Sequence, residues 1–211
     1  MNNRMVFFLF SVFLMQGLVG HSQTQLSAKE QQVFKEQVQQ TAQQTQSIVS
    51  DFEQIKYLSV LENTITSQGK LVFKAADNIR WEYTVPFKYY VVFKDDKMLV
   101  NNEGKTDNIN LSSNKLFRSF NDLIVKSIKG DMFDNAQFDI SYFKLKNGYL
   151  ARFIPKEKRL KKYMAAFELT FTETSAEVTQ VKLIEPNEDY TQIIFKNRKT
   201  NTKVSATAFE N

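Results

Sequence analysis

The residues through which this chain could do chemistry are few. Its 211 residues contain no cysteine and a single histidine, His21. Because His21 falls within an amino-terminal leader, residues 23–211 have neither imidazole nor thiol. That composition excludes Ser-His and Cys-His nucleophiles, a zinc site of the usual ligands and a disulfide framework. Four glycines follow the leader, Gly69, Gly104, Gly130 and Gly148, and none stands in a spacing that cradles a phosphate. Carboxylate chemistry stays open by residue type. The densest group, Glu185, Glu188 and Asp189 around Pro186, reads as exposed acids on a turn and not as a glycosidase-like pair. A non-catalytic protein without cofactor or metal is the expectation.

What the chain has in quantity is aromatic surface. Nineteen phenylalanines occur, four of them (Phe7, Phe8, Phe10 and Phe13) in the leader. On strand faces such residues fill an ordinary core or line an apolar pocket, and both readings stay open at this point. A second concentration is cationic: Lys156, Lys158, Arg159, Lys161 and Lys162 follow Pro155. Charge runs mostly face water at a hairpin tip; the functional alternative is contact with anionic lipid headgroups or an acidic transfer partner. No nucleic-acid partner is expected of a chain with formal charge of only +5, lowered to +4 without Arg4.

The elements that must position these residues can be read in order. Residues 1–22 carry Arg4, an apolar run from Met5 to Met15 and then small residues, the layout of a cleavable secretory signal. The run is too short to span a bilayer, which takes ~20 residues. Cleavage is expected before Gln23, releasing an unanchored exported chain, since no cysteine is available for acylation. Ser27 with Glu30 forms a capping box for an amphipathic helix over residues 28–46, with Val33, Phe34 and Val38 as apolar positions. From Ser50 the period changes to two. Leu71 and Phe73, then Ile79, Trp81 and Tyr83, then Val91 and Phe93, alternate with polar neighbours as strands of an antiparallel meander.

Helical spacing returns over residues 111–130, where Leu116, Phe117, Phe120, Leu123, Ile124 and Ile128 form an apolar stripe that Gly130 can end. Strands resume at residues 138–142 and 149–155, joined through Asn147-Gly148, the strongest hairpin signal in the chain. Further strands are expected at 167–171, which contains Phe167, Leu169 and Phe171, and at 178–184, 190–196 and 203–209. Nine to eleven antiparallel strands and two or more helices give a mainly β domain over residues 23–211. The economical form is one strongly curved sheet, an unclosed half-barrel covered by amphipathic helices.

Two segments carry a family resemblance. Gln68-Gly69-Lys70-Leu71-Val72-Phe73-Lys74, followed by Asp77-Asn78-Ile79-Arg80-Trp81-Glu82-Tyr83-Thr84-Val85-Pro86, resembles the G-x-L-x-F-K…R-W-E-Y-x-x-P signature of the outer-membrane lipoprotein carrier protein LolA family. Ser50 to Gln54, Asp95 to Leu99 and Phe153 to Lys156 are similar to further strands of that family. The resemblance implies a cavity for the acyl chains of lipoproteins, walled by Leu71, Phe73, Ile79, Trp81, Tyr83, Val91, Phe93, Phe167, Leu169 and Phe171, with residues 111–130 as lid. It also implies a monomeric periplasmic carrier with an ATP-driven inner-membrane exporter as donor and an outer-membrane acceptor. One departure stands out: Ala75-Ala76 replaces an Arg-Pro pair whose arginine holds the lid in some members. Arg80 occupies a different position, which leaves lid closure to apolar contact or to Lys74. Two other roles fit the residues, transport or sensing of another lipid, and a regulatory module whose interior is filled by its own side chains.

Overall fold

The computed structural model describes residues 23–61, 63–75, 78–94, 97–102, 104–110, 126 and 129–210. A helix, α1 (Ala28–Gln44), lies against one sheet of twelve antiparallel strands. The strands are β1 (Thr24–Gln25), β2 (Ser47–Leu58), β3 (Asn63–Lys74), β4 (Asn78–Val85), β5 (Tyr89–Lys94) and β6 (Lys97–Asn102). They continue with β7 (Lys105–Asn110), β8 (Phe138–Leu145), β9 (Gly148–Pro155), β10 (Ala166–Thr172), β11 (Val178–Ile184) and β12 (Tyr190–Thr200). Their spatial order is β1-β8-β9-β10-β11-β12-β2-β3-β4-β5-β6-β7. Two meanders, β2 to β7 and β8 to β12, are thus joined where β12 pairs with β2. The sheet does not close, so the fold is a half-barrel whose hollow face α1 covers.

The helix begins as its sequence dictates. The Ser27 backbone N–H donates to Glu30 Oε2 at 2.8 Å and the Glu30 N–H donates to Ser27 Oγ at 3.4 Å, closing the capping box. These bonds hold the Glu30 carboxyl below the usual carboxylate range. The helix ends at Gln44, two residues before the expected end, with Thr45 in an extended conformation. Phe34 and Val38 are buried, whereas Val33 faces water. At 3.6 residues per turn Val33 lies about 100° around the helix from Phe34, beyond the covered stripe.

Both sheet edges are unattractive for further pairing. One is β1, only two residues long, and the other is β7, whose Lys-Thr-Asp-Asn-Ile-Asn sequence is polar. The expected strand over 203–209 is absent. β12 instead continues to Thr200, and the carboxyl-terminal chain crosses the outer face to a 3-10 turn at Ala206–Phe209 packed on β4 and β5. Phe209 is buried there, as is Val92 of the outward-facing side of β5. Lys74 Nζ donates to the carbonyl of Val204 in this crossing segment at 3.2 Å. Lys74 therefore ties the carboxyl-terminal segment to the outer face of the sheet. Arg80 also stands outside, stacked 3.7 Å above the Tyr90 ring and paired with Glu82 at 3.0 Å.

Candidate functional site

The hollow face carries two separate hydrophobic cores. One joins Phe34 and Val38 of α1 to Tyr142, Phe153, Leu169 and Phe171 of β8 to β10. The other joins Ile48 and Phe52 of β2 to Leu71, Phe73, Ile79 and Trp81 of β3 and β4. Between them runs a cavity of about 380 Å³, within the range of small-molecule sites. Half-buried members of each core line it, Val178, Val181 and Leu183 on one side and Tyr83, Phe93, Ile193 and Phe195 on the other, beside fully buried neighbours such as Leu71 and Phe171. The carboxyl-terminal turn of α1 roofs it with Val38, Thr41, Ala42 and Thr45.

Strand register explains why these side chains converge. Cross-strand partners on one face stack in rows, so Leu169, Val181 and Ile193 adjoin through successive pairings, as do Leu71, Trp81 and Val91. Phe52 opposes Gly69, and a Cβ at position 69 would lie 2.5 Å from Phe52 Cζ and overlap the Glu82 carbonyl oxygen. The missing side chain lets the Phe52 ring lie against the strand, 4.6 Å from the Trp81 ring and 5.1 Å from that of Tyr83. This gives the glycine of the Gly69-Lys70-Leu71-Val72-Phe73-Lys74 motif a steric reason.

Several polar groups in the walls are engaged with the protein itself. Tyr83 Oη donates to Gln54 Oε1 at 2.8 Å, Ser50 Oγ to the Lys196 carbonyl at 2.8 Å and Thr41 Oγ1 to the Ser175 carbonyl at 2.6 Å. Burial, with a smaller contribution from the stacked Tyr89, pushes the Tyr83 hydroxyl well above the ordinary tyrosine range. The cavity can thus take an apolar guest without stranding these donors.

One end is different. Arg198 and Glu177 line the cavity, their Nε and Oε1 3.4 Å apart. Arg198 Nη1 also donates to the Val178 carbonyl at 3.2 Å, and Glu177 accepts from Thr200 Oγ1 and Ser175 Oγ, each at 3.1 Å. Burial lowers the Arg198 guanidinium from its ordinary value, an effect that Glu177 partly offsets.

Of the ten residues expected in the walls, Leu71, Trp81, Tyr83, Val91, Phe93, Phe167 and Phe171 line the cavity. Phe73, Ile79 and Leu169 do not; they are the fully enclosed packing behind it, with at most 2 % exposure. The expected lid residues Leu116, Phe117, Phe120, Leu123, Ile124 and Ile128 lie outside the described residues. Lys156, Lys158, Arg159, Lys161 and Lys162 are exposed on the connection from β9 to β10 around a 3-10 turn at Leu160–Lys162, and none lines the cavity. Lys156 is paired with Asp139 at 3.2 Å. Asp189 is not an exposed turn acid: it is buried and accepts from the Ser59 N–H at 2.7 Å and Ser59 Oγ at 2.6 Å, tying the turn after β11 to the end of β2.

Sequence reading expected helices over the sheet but named no lining residue from α1, β11 or β12. For Val181, Leu183, Ile193 and Phe195 the alternation was visible, but nothing in it separates cavity from core; Val178 breaks it, because the pairing with β10 shifts by one residue at Thr179. Arg198 carried no such signal, because an extra residue changes the parity of β12 just before it.

An open half-barrel holding an apolar cavity under a helix is a binding and carrier fold. The outer membrane lipoprotein carrier protein LolA family model matches residues 43–211, and the chain belongs to that family. No curated protein matches it in sequence. Among solved structures, an uncharacterized conserved protein from Thermus thermophilus has a TM-score of 0.54 at 9% identity, covering 86% of this chain and 93% of its own. A LolA superfamily protein from Nitrosomonas europaea gives 0.44 at 8% identity, over 85% of this chain and 97% of its own. Mycobacterium tuberculosis lipoprotein LppX gives 0.49 at 10% identity, over 85% of this chain and 99% of its own. At 9% identity the likeness to the Thermus thermophilus protein is one of fold. No described helix is long and apolar enough to cross a membrane.

Proposed function

We propose that this protein is a periplasmic carrier that shields lipid acyl chains in the cavity between its two cores. The lipoprotein cargo, an ATP-driven inner-membrane exporter as donor and an outer-membrane acceptor are the finer reading, supported by family membership. Residues 1–22 would direct export and be removed. The observation that carries the proposal is the volume of about 380 Å³ with predominantly apolar walls. Along β12 its lining runs from Thr191 to Arg198, a length of roughly 20 Å at ~3.3 Å per residue.

Burying one methylene yields ~0.8 kcal/mol, so a chain of about sixteen carbons represents roughly 13 kcal/mol gross. A carrier that retained all of this could not release its load. Repacking of the walls on emptying offsets part of it, and large apolar side chains such as Phe93, Phe195 and Ile193 suit that exchange. The basic connection carrying Lys158, Arg159, Lys161 and Lys162 is available as a contact for anionic headgroups or an acidic partner.

Residues 23–211 incubated with a triacylated lipoprotein should form a soluble complex on size exclusion. An Ile193→Asp variant should form much less. Absence of any wild-type complex would contradict lipoprotein carriage. A second reading, carriage or sensing of another lipid, is favoured by the charged end of the cavity.

A further inference from the structure

We propose that Arg198 anchors an acidic headgroup, so that the preferred occupant of the cavity is an acyl chain ending in a carboxylate or a phosphate ester. The inference rests on the acyl-chain reading of the cavity and specifies its ligand.

The first support is how the side chain comes to be there. On β12, Ile193 and Phe195 face the cavity, and strict alternation would send residue 198 to the outer face. Pairing with β2 shifts between Lys196, opposite Asp51, and Lys199, opposite Val49, so that Asn197 and Arg198 together face Ser50. Asn197 adopts φ 52°, and its Nδ2 donates to Asp51 Oδ2 at 2.8 Å, pinning the bulge. The inserted residue reverses the parity and turns Arg198 inward, as bulges beside functional sites do.

The second support is chemical. Arg198 is the only cation, and Glu177 the only anion, among the described lining residues. A guanidinium in an apolar enclosure needs an anionic partner. Glu177 supplies one loosely: the ion-pair separation of 3.4 Å and the bonds to Val178 at 3.2 Å and Thr200 at 3.4 Å exceed the ~2.7–2.9 Å of good charge-assisted contacts. Nη2 donates to no described residue, and no bidentate fork forms. Two parallel N–H groups are what a carboxylate or phosphate oxygen pair would take. Glu177 has alternative donors in Ser175 and Thr200, so it stays satisfied when an incoming anion claims part of the guanidinium.

The test compares palmitate, 1-palmitoyl-lysophosphatidylglycerol and the neutral hexadecanol by calorimetric titration against residues 23–211. Wild type should prefer at least one acid over hexadecanol by about tenfold or more, the contribution of a charge-assisted pair. Preference for palmitate alone identifies a carboxylate source, and preference for the lysolipid alone a phosphodiester. Arg198→Gln should collapse that preference ratio towards one, while Glu177→Gln, which removes the internal competitor, should raise it. If hexadecanol binds wild type as tightly as both acids, or if the ratio survives Arg198→Gln, the anchor is overturned while the cavity reading stands. If none of the three ligands binds, both are wrong.

Discussion

The ring of Phe52 rests on Gly69 of the neighbouring strand, where a Cβ would come within 2.5 Å of Cζ. Because the same Cβ would also overlap the Glu82 carbonyl oxygen, neither a rotamer change of Phe52 nor a small strand shift relieves both contacts. Gly69→Ala is expected to cost about 3 kcal/mol, at the upper end of overpacking effects. It should also displace Phe52 from Trp81, the sole tryptophan, and so shift the emission of the folded state. Urea unfolding followed at Trp81 reports both, and an unchanged midpoint would refute the steric reading of the motif.

One buried and one half-buried tyrosine should respond oppositely to loss of their hydroxyls. Tyr142 Oη is buried without a hydrogen-bond partner among the described residues, whereas Tyr83 Oη donates to Gln54. An unsatisfied buried hydroxyl carries a desolvation cost, and a satisfied one contributes ~1 kcal/mol. Tyr142→Phe should therefore be neutral or stabilising by up to ~1 kcal/mol and Tyr83→Phe destabilising by about that amount. Chemical denaturation of the pair reads the difference.

Acid should loosen the contact between the turn after β11 and the end of β2. Hydrogen bonds from the Ser59 hydroxyl and N–H hold Asp189 below the usual carboxylate range. A carboxyl whose pKa is lowered by folding contributes stability that is complete above its unfolded value near 3.8 and disappears as pH falls through the folded value. Wild type should lose more stability than Asp189→Asn between about pH 6 and about pH 2. Parallel melting curves over that interval, with equal losses in the two proteins, would count against this role.

Wall and packing residues should separate when truncated. Leu169→Ala, at a fully enclosed position, is expected to cost ~2–5 kcal/mol. Ile193→Ser, in the half-buried wall, should cost roughly half of that while weakening acyl-chain capture. Unfolding and binding measured on the same two variants test the division.

That division is where sequence legibility ended. The alternations Leu71/Phe73, Ile79/Trp81/Tyr83 and Phe167/Leu169/Phe171 place every one of these residues on the hollow face, as the structure has them. Period-two patterning records the face but not what lies across from it. Phe73 is enclosed and Leu71 lines the cavity although both obey the same rule. β7 escaped notice because its sequence, Lys-Thr-Asp-Asn-Ile-Asn, holds one apolar residue and so has no apolar alternation to show. The 203–209 stretch suggested a strand through Val204 and Phe209, yet those residues belong to a segment that crosses the outer face. Arg198 was hidden for a third reason: a one-residue bulge is set by pairing with β2 and leaves no local periodic mark.

An acyl chain that enters the volume between the two cores must pass Trp81 in its wall, which makes that residue the natural reporter. Residues 23–211 should be titrated with hexadecanol carrying a bromine near mid-chain, a contact quencher whose neutral head makes the result independent of Arg198. Saturable quenching of Trp81 at one chain per protein is expected, reversed by unlabelled hexadecanol and much reduced in Ile193→Asp; emission that stays unquenched through saturating ligand would mean that no chain enters this volume.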